Sequence, residues 1–224
     1  MWWNIDPSGK ISFLKNAMIK VFGYGSLMSQ LSARSTMPSL QWFMPAILHE
    51  HKRTFSLVSI SGLIRGGANQ ETLEMAALGI NPSPTHNVYG CAFDISAAEM
   101  AAYVEREHRY RLVDIHVNIE GMLHPAVTVV PYASNEEYRA AKFADDEVGW
   151  HERVGQHYSG PLFDRRDVWP MRAYLRDCLA AAASLGGRAW LVNFLDESFC
   201  SDGATSIRSY ISAHPDRVSL EDLL

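Results

Sequence analysis

Among the residues able to move a proton, Glu107 stands out by its position. It falls in a stretch, 96–108, that opens with the capping box Ser96-Ala97-Ala98-Glu99 and continues in helix formers. At about 100° per residue, Glu107 lies roughly 20° from Met100, inside the stripe of Met100, Tyr103 and Val104, while Glu105 lies roughly 140° away. A carboxylate on an apolar face is paired, hydrated in a cleft, or raised in pKa by desolvation. The last condition is what a general base for neutral-pH chemistry requires. The alternative is a helix ending near Arg106, with Glu107 paired to a neighbouring arginine. A second chemical feature is Gly23-Tyr24-Gly25-Ser26. Its two glycines permit either a plain β-turn or a nest of backbone N–H groups that holds a carboxylate or a developing oxyanion.

Other chemistry fails on spacing. A dinucleotide fingerprint beginning at Gly23 needs glycine where Met28 stands, and a nucleophile elbow around Ser26 needs glycine at both Tyr24 and Met28. No Gly-Lys-Ser/Thr run exists to cradle phosphate. His151-Glu152 lacks the second histidine of a metalloprotease motif, because Gly155 stands there. His49-Glu50-His51 offers two imidazoles to one face of a strand, but a solvent-facing turn is the better reading, and no metal site is expected. Arg106, Arg109 and Arg111 are interleaved with Glu105 and Glu107, which reads as a solvated helix end rather than a nucleic-acid site.

The elements that must position these residues follow from pattern. Strands are expected at 18–22, at 45–60 as one or two, at 75–80, 88–94, 112–117 and 126–132. Residues 62–70 and 81–84 read as loops. Helices are expected at 27–37, 96–108, 135–148, 167–185 and 205–212. In 167–185 the residues Met171, Tyr174, Leu175, Cys178, Leu179 and Ala182 recur at three and four, and Gly186-Gly187 supplies the stop. Strands come mostly first and helices later, which is an α+β order. The opening 1–17 read as an N-terminal extension, packed through Trp2 and Trp3, and a short helix is expected near the C-terminus, after Pro215.

Composition narrows the classes. The chain has 224 residues, enough for one domain with a sizeable core. With 47% hydrophobic and 20% charged residues it is not a disordered chain. A net charge of -5 argues against a general nucleic-acid binder. No run of roughly 18 uncharged apolar residues is expected to cross a membrane. Three cysteines, Cys91, Cys178 and Cys200, without Cys-x-x-Cys spacing, suggest reduced thiols and a cytoplasmic protein. A small-molecule enzyme or a binding module remains.

Four signatures, in order, resemble the γ-glutamylcyclotransferase superfamily with its ChaC-like and AIG2-like members. They are Val21-Phe22-Gly23-Tyr24-Gly25-Ser26-Leu27-Met28, His51-Lys52-Arg53-Thr54-Phe55-Ser56, Val88-Tyr89-Gly90-Cys91-Ala92-Phe93-Asp94-Ile95, and Arg106-Glu107-His108-Arg109-Tyr110-Arg111. The resemblance covers residues 18–132. It implies a small mixed β-barrel with helices packed outside, and 133–224 as a mainly helical part packed on the same domain. It also implies that Glu107 is catalytic and that Tyr24, Gly25, Ser26 and Leu27 hold substrate. Tyr110 and Arg53 match further family positions assigned to substrate binding, Arg53 with a structural role as its alternative.

The implied reaction is cyclisation of a γ-glutamyl group to 5-oxoproline, releasing an amine, amino acid or peptide, with no cofactor and no metal. The implied partner is a small γ-glutamyl compound, with neither nucleic acid nor membrane involved. The leaving group and the oligomeric state are left open. The alternative is a non-enzymatic ligand- or protein-binding module that retains the same pocket.

Overall fold

The computed structural model describes residues 17–217 together with the backbones of two short strands before them, β1 (Trp3–Ile5) and β2 (Ile11–Phe13), which pair antiparallel. The expected packing of Trp2 and Trp3 and the helix expected near the C-terminus lie outside the described residues.

The α+β order is observed, around a seven-stranded mixed sheet. Its main strands are β3 (Met18–Gly23), β4 (Gln41–Val58), β5 (Glu74–Ser96), β6 (Tyr110–Ile119) and β7 (Met122–Pro131). Two-residue strands β8 (Trp169–Pro170) and β9 (Ser198–Phe199) add to β5 and β4 in parallel. The order is β8-β5-β3-β7-β6-β4-β9, and β4 also pairs with β5. The pairings therefore run from β5 through β3, β7, β6 and β4 back to β5. Val21, Phe22, Phe55, Val88, Phe93 and Val117 on these strands are fully buried, on one face of the sheet or the other.

Length is the main departure from the expected strands. β4 is one strand of 18 residues, bent where its register shifts between Gln41 and Met44, between His49 and His51, and between Thr54 and Leu57. The left-handed backbone of Trp42 (φ 53°) and Glu50 (φ 57°) falls at the first two shifts, as in β-bulges. β5 runs for 23 residues through what the prolines marked as a loop. Its register steps from His51 opposite Pro82 to His49 opposite Asn87, so 83–86 stand outside the ladder.

Helices cap the sheet. The segment expected as one helix at 27–37 is a 3-10 turn, Ser26–Met28, followed by α1 (Gln30–Arg34), because the Ser29 side chain accepts from Ser32 N–H and restarts the helix. The loop expected at 62–70 begins with α2 (Ile60–Ile64), capped by Ser59. α3 (Ala97–Arg106) carries the complete capping box of Ser96 and Glu99. α4 (Asn135–Lys142), α5 (Glu147–Trp150), α6 (Arg172–Asp196) and α7 (Ile207–Ala213) follow.

α6 starts five residues later than expected, because Pro170 keeps the preceding residue extended, and Trp169 joins the sheet instead. By length and composition α6 is long and apolar enough to cross a membrane, although Arg188 interrupts any run of 18 uncharged residues. It is, however, broken at Gly186 and Gly187, and its buried Leu175, Cys178, Leu179, Ala182, Leu191 and Phe194 belong to the core.

The break rests on Gly187, whose φ of 61° and ψ of -148° suit glycine alone. A Cβ at Gly187 would meet nothing within 4 Å, so substitution strains only the backbone. Gly187→Ala is expected to destabilise the protein by roughly 1–3 kcal/mol. Thermal unfolding tests this, and an unchanged midpoint would show that the junction adopts another backbone at no cost.

Candidate active site

A cleft of about 810 Å³ opens between the end of α3, the start of α2 and the first turns of α6. Ser26, Glu107, Tyr110 and Tyr174 are among the residues that line it. Glu107 is placed there by the way α3 ends. Its N–H still donates to Tyr103 O at 3.0 Å, but its own backbone (φ -93°, ψ 35°) has left the helix. Its carbonyl then accepts from Tyr110 N–H at 2.9 Å, and the chain turns into β6. Both sequence readings of Glu107 are thus realised. The helix does stop at Arg106, and the side chain is nevertheless turned inward, 15% exposed. Glu105 is exposed and pairs with Arg153 at 2.6 Å.

Arg106 is the residue that the sequence reading placed on a solvated helix end. Its Nε lies 3.2 Å from Glu107 Oε1. Its Nη2 donates to Ser26 Oγ at 3.2 Å and to Ser32 Oγ at 2.9 Å, and its Nη1 donates to Ser32 O at 2.6 Å. One guanidinium therefore fixes the glycine turn, α1 and the carboxylate relative to one another. Arg106 is thus not part of a solvated helix end; its place in the quoted Arg-Glu-x-x-Tyr element was the signal available for it. Burial raises the Glu107 carboxyl above its ordinary value, and the nearby guanidinium groups of Arg106 and Arg109 only partly oppose this.

Phenols surround the carboxylate. Tyr24, Tyr103, Tyr110 and Tyr174 all have raised pKa values, from burial first and with a contribution from Glu107, so they stay protonated donors. Tyr110 donates to Leu78 O at 2.8 Å and Tyr24 to Val129 O at 2.9 Å. Tyr103 Oη is buried with no hydrogen-bond partner among the described residues. Tyr174 Oη lies over the glycine turn, 2.6 Å from where a Cβ on Gly25 would stand, which explains the absence of a side chain there. Sequence periodicity placed Tyr174 on the apolar face of a helix but gave no sign that it reached this turn. His108, next to Glu107, also lines the cleft: its Nδ1 is 2.7 Å from Tyr138 Oη, and burial lowers its pKa to about 4.

The remaining sequence candidates divide. Ser26 and Tyr110 line the cleft with Glu107, whereas Tyr24, Gly25, Leu27 and Arg53 stand behind its wall. Leu27 is buried. Arg53 is fully buried and reaches the turn from within, donating from Nε to Tyr24 O at 2.9 Å. His49 and His51 flank the bulge at Glu50, and their Nδ1 atoms bond Asn87 Oδ1 and His49 O, each at 2.8 Å. Among the described residues, no three His, Cys, Asp or Glu side chains are grouped to hold a metal ion. Cys91, Cys178 and Cys200 are free and buried.

No family model matches the sequence, and no curated protein matches it. Three solved structures are similar in chain course. A γ-glutamyl cyclotransferase is 15% identical, with a TM-score of 0.49, covering 77% of this chain and 83% of that one. A yeast γ-glutamyl cyclotransferase specific to glutathione is 15% identical, with a TM-score of 0.47, covering 80% of this chain and 96% of that one. An uncharacterized protein from Homo sapiens is 16% identical, with a TM-score of 0.43, covering 64% of this chain and 92% of that one. Similarity at this level assigns no role to any residue.

Glu107 also makes a prediction about stability. Its raised folded-state pKa means that the folded protein holds this proton more tightly than the unfolded chain does. Stability therefore falls as pH rises from the ordinary value of 4.5 through the raised one, and the whole cost is present above it. Glu107→Gln removes that ionisation. The expected variant is more stable than the wild type at pH 7, with the gap closing toward pH 4, as read by urea unfolding at both values. A deficit that grows from pH 4 to pH 7 would show that the Arg106 contact outweighs desolvation.

Proposed function

We propose that the protein is a γ-glutamylcyclotransferase-like enzyme that needs no cofactor. The observation that carries this reading is Glu107: an inward carboxylate with a raised pKa, lining a cleft and tied through Arg106 to Ser26. We take the circuit of strand pairings as the small barrel that supports it.

The substrate is a compound with a free γ-glutamyl group, such as glutathione, a γ-glutamyl amino acid or a γ-glutamyl amine. Its α-amine has a pKa of about 8, so at neutral pH much of it is protonated and cannot attack. Glu107 accepts that proton. The freed nitrogen adds to the γ-carbonyl carbon of the same glutamyl group, closing a five-membered ring. The carbonyl oxygen becomes an oxyanion, steadied by the 24–27 turn where it lines the cleft, at Ser26, whose N–H is a first-turn donor not used within the short helix. When the tetrahedral carbon collapses, the bond to the leaving nitrogen breaks, Glu107 returns a proton to that nitrogen, and the ring nitrogen loses its surplus proton to solvent. The products are 5-oxoproline and the free amine. Both reacting groups belong to one molecule, so holding the chain folded supplies the proximity term and no enzyme nucleophile is needed. Tyr110 and Tyr174 bound the space in which the ring closes, and Arg53 holds the Tyr24 carbonyl so that the turn keeps its shape.

Release of 5-oxoproline should be measured from each substrate type separately. Glu107→Gln is expected to lower kcat by about 10²–10⁴-fold, the usual contribution of a general base. Glu105→Gln should remain close to wild type, because its side chain is exposed on the other side of the helix. Ser26→Ala should cost less than Glu107→Gln, since its hydroxyl positions and does not attack. A trapped acyl-enzyme on Ser26 would reject the cyclisation. Binding of all three substrate types without 5-oxoproline would make the protein a binding module.

A further inference from the structure

A buried hydroxyl beside the candidate base is left over by the structure. Tyr103 stands on α3 one turn before Glu107, and its carbonyl accepts the Glu107 N–H at 3.0 Å. Its side chain is fully buried, and its Oη has no hydrogen-bond partner among the described residues. Tyr24 and Tyr110, buried in the same neighbourhood, each donate to a backbone carbonyl. A buried donor left unpaired costs stability that a phenylalanine in the same place would not. Such an orphan is uncommon in a folded protein and points to a partner gained in another state.

Glu107 is the group placed to become that partner. Residues four apart on a helix are neighbours on its surface. Of the charged groups around the Tyr103 phenol, Glu107 acts on it most strongly, with Arg106 opposing. At rest Arg106 Nε holds Glu107 at Oε1, 3.2 Å away. A fixed cation favours the ionised carboxylate and resists the arrival of a proton. A neutral donor at hand lets the carboxylate turn from Arg106 toward the substrate ammonium without leaving its charge unpaired. Arg109 in the same turn, Tyr24 in the glycine turn, Tyr110 on β6 and Tyr174 on α6 share these surroundings. Among the phenols, Tyr24 and Tyr110 are committed to carbonyls, and Tyr174 Oη lies over Gly25.

We propose that Tyr103 is a positioning residue, whose hydroxyl donates to Glu107 when the carboxylate turns from Arg106 to the substrate amine. This deepens the cyclotransferase reading and rests on it. Tyr103 touches neither the substrate nor the reacting atoms, and acts through Glu107.

Tyr103→Phe removes the hydroxyl alone. With glutathione and γ-glutamylalanine as substrates, kcat for 5-oxoproline release should fall at least about 10-fold, the scale of one hydrogen bond to a charged group, with KM little changed. The acid limb of kcat should move to higher pH, because the bound-state carboxylate has lost a donor that favours its ionised form. The acid limb of kcat/KM, which reports the free enzyme, should stay in place. The thermal midpoint should rise, since at rest the hydroxyl is unpaired. On the Glu107→Gln background, adding Tyr103→Phe should cost little further activity. A lower midpoint, or failure of Tyr103→Phe to fold, would show a hydroxyl already bonded at rest and overturn the proposal. An additive loss on the Glu107→Gln background would overturn it too. Wild-type turnover with an unchanged kcat in Tyr103→Phe would keep cyclisation and reject the role of Tyr103. A wild type that releases no 5-oxoproline from either compound would reject cyclisation itself, and the positioning role with it.

Discussion

A fully buried guanidinium organises the molecule. Arg53, on β4, donates to Tyr24 O in the glycine turn, to Tyr89 O on β5, to Asn193 Oδ1 on α6 and, at 3.5 Å, to Ser198 Oγ on β9. It also stacks over the Phe194 ring, 4.8 Å from the centroid. Burial lowers its pKa to about 9, which leaves it charged at neutral pH. A buried charge of this kind persists only where its donors are satisfied, and here two carbonyls, an amide oxygen and a hydroxyl from four separate segments satisfy them. Any movement of the turn away from β4 would strand both the cation and the Tyr24 carbonyl. The shape of the turn is thus enforced from the core side, without using the face that lines the cleft.

A second guanidinium works on the opposite side. Arg106 reaches Ser26 from the end of α3, so the turn is held between Arg53 behind it and Arg106 beside it. The two differ in what they do to Glu107. Arg53 is fixed on dipoles and takes no part in its ionisation. Arg106 touches Glu107 directly and, together with Arg109, limits how far burial raises its pKa. A base left in apolar surroundings alone would stay protonated, and one in a close bidentate pair would be too weak to accept a proton. A single 3.2 Å contact from Nε, with the Nη donors directed to serines and a backbone carbonyl, lies between those extremes.

Local rules made much of this legible. The capping box of Ser96 and Glu99 fixed where α3 begins, and helical periodicity then pointed Glu107 inward even though the helix ends one residue earlier. That worked because the C-cap residue still continues the helical turn before the chain departs. The loops were less legible. Pro82 and Pro84 signalled a break, but a long strand tolerates them where the ladder steps out of register. Gly62 signalled a loop, but Ser59 supplies a cap strong enough to start a short helix. The contacts of Arg53 and Tyr174 were not legible at all. Each depends on partners distant in sequence, such as the 140 residues between Arg53 and Asn193, and no periodicity encodes a contact of that kind.

The division of labour between the two parts of the chain follows from those long-range contacts. The four signatures lie before residue 112, and they supply the carboxylate, the turn and the buried cation. The later part supplies Tyr174 over Gly25, Asn193 against Arg53, and Met171, Glu152, Arg153 and Asp177 around the cleft. In the proposed cyclisation the first set would meet the features that every γ-glutamyl group shares, its α-amine and its γ-carbonyl. The second set bounds the space beyond them, where substrates differ. A chain that kept the first part and altered the residues on α6 and around the π-helical turn His151–Gly155 would keep the chemistry and change the substrate. Under the proposed function, the space around the leaving group is therefore bounded largely by the part of the sequence in which no motif was recognisable, because motifs record what a family shares and not what distinguishes its members.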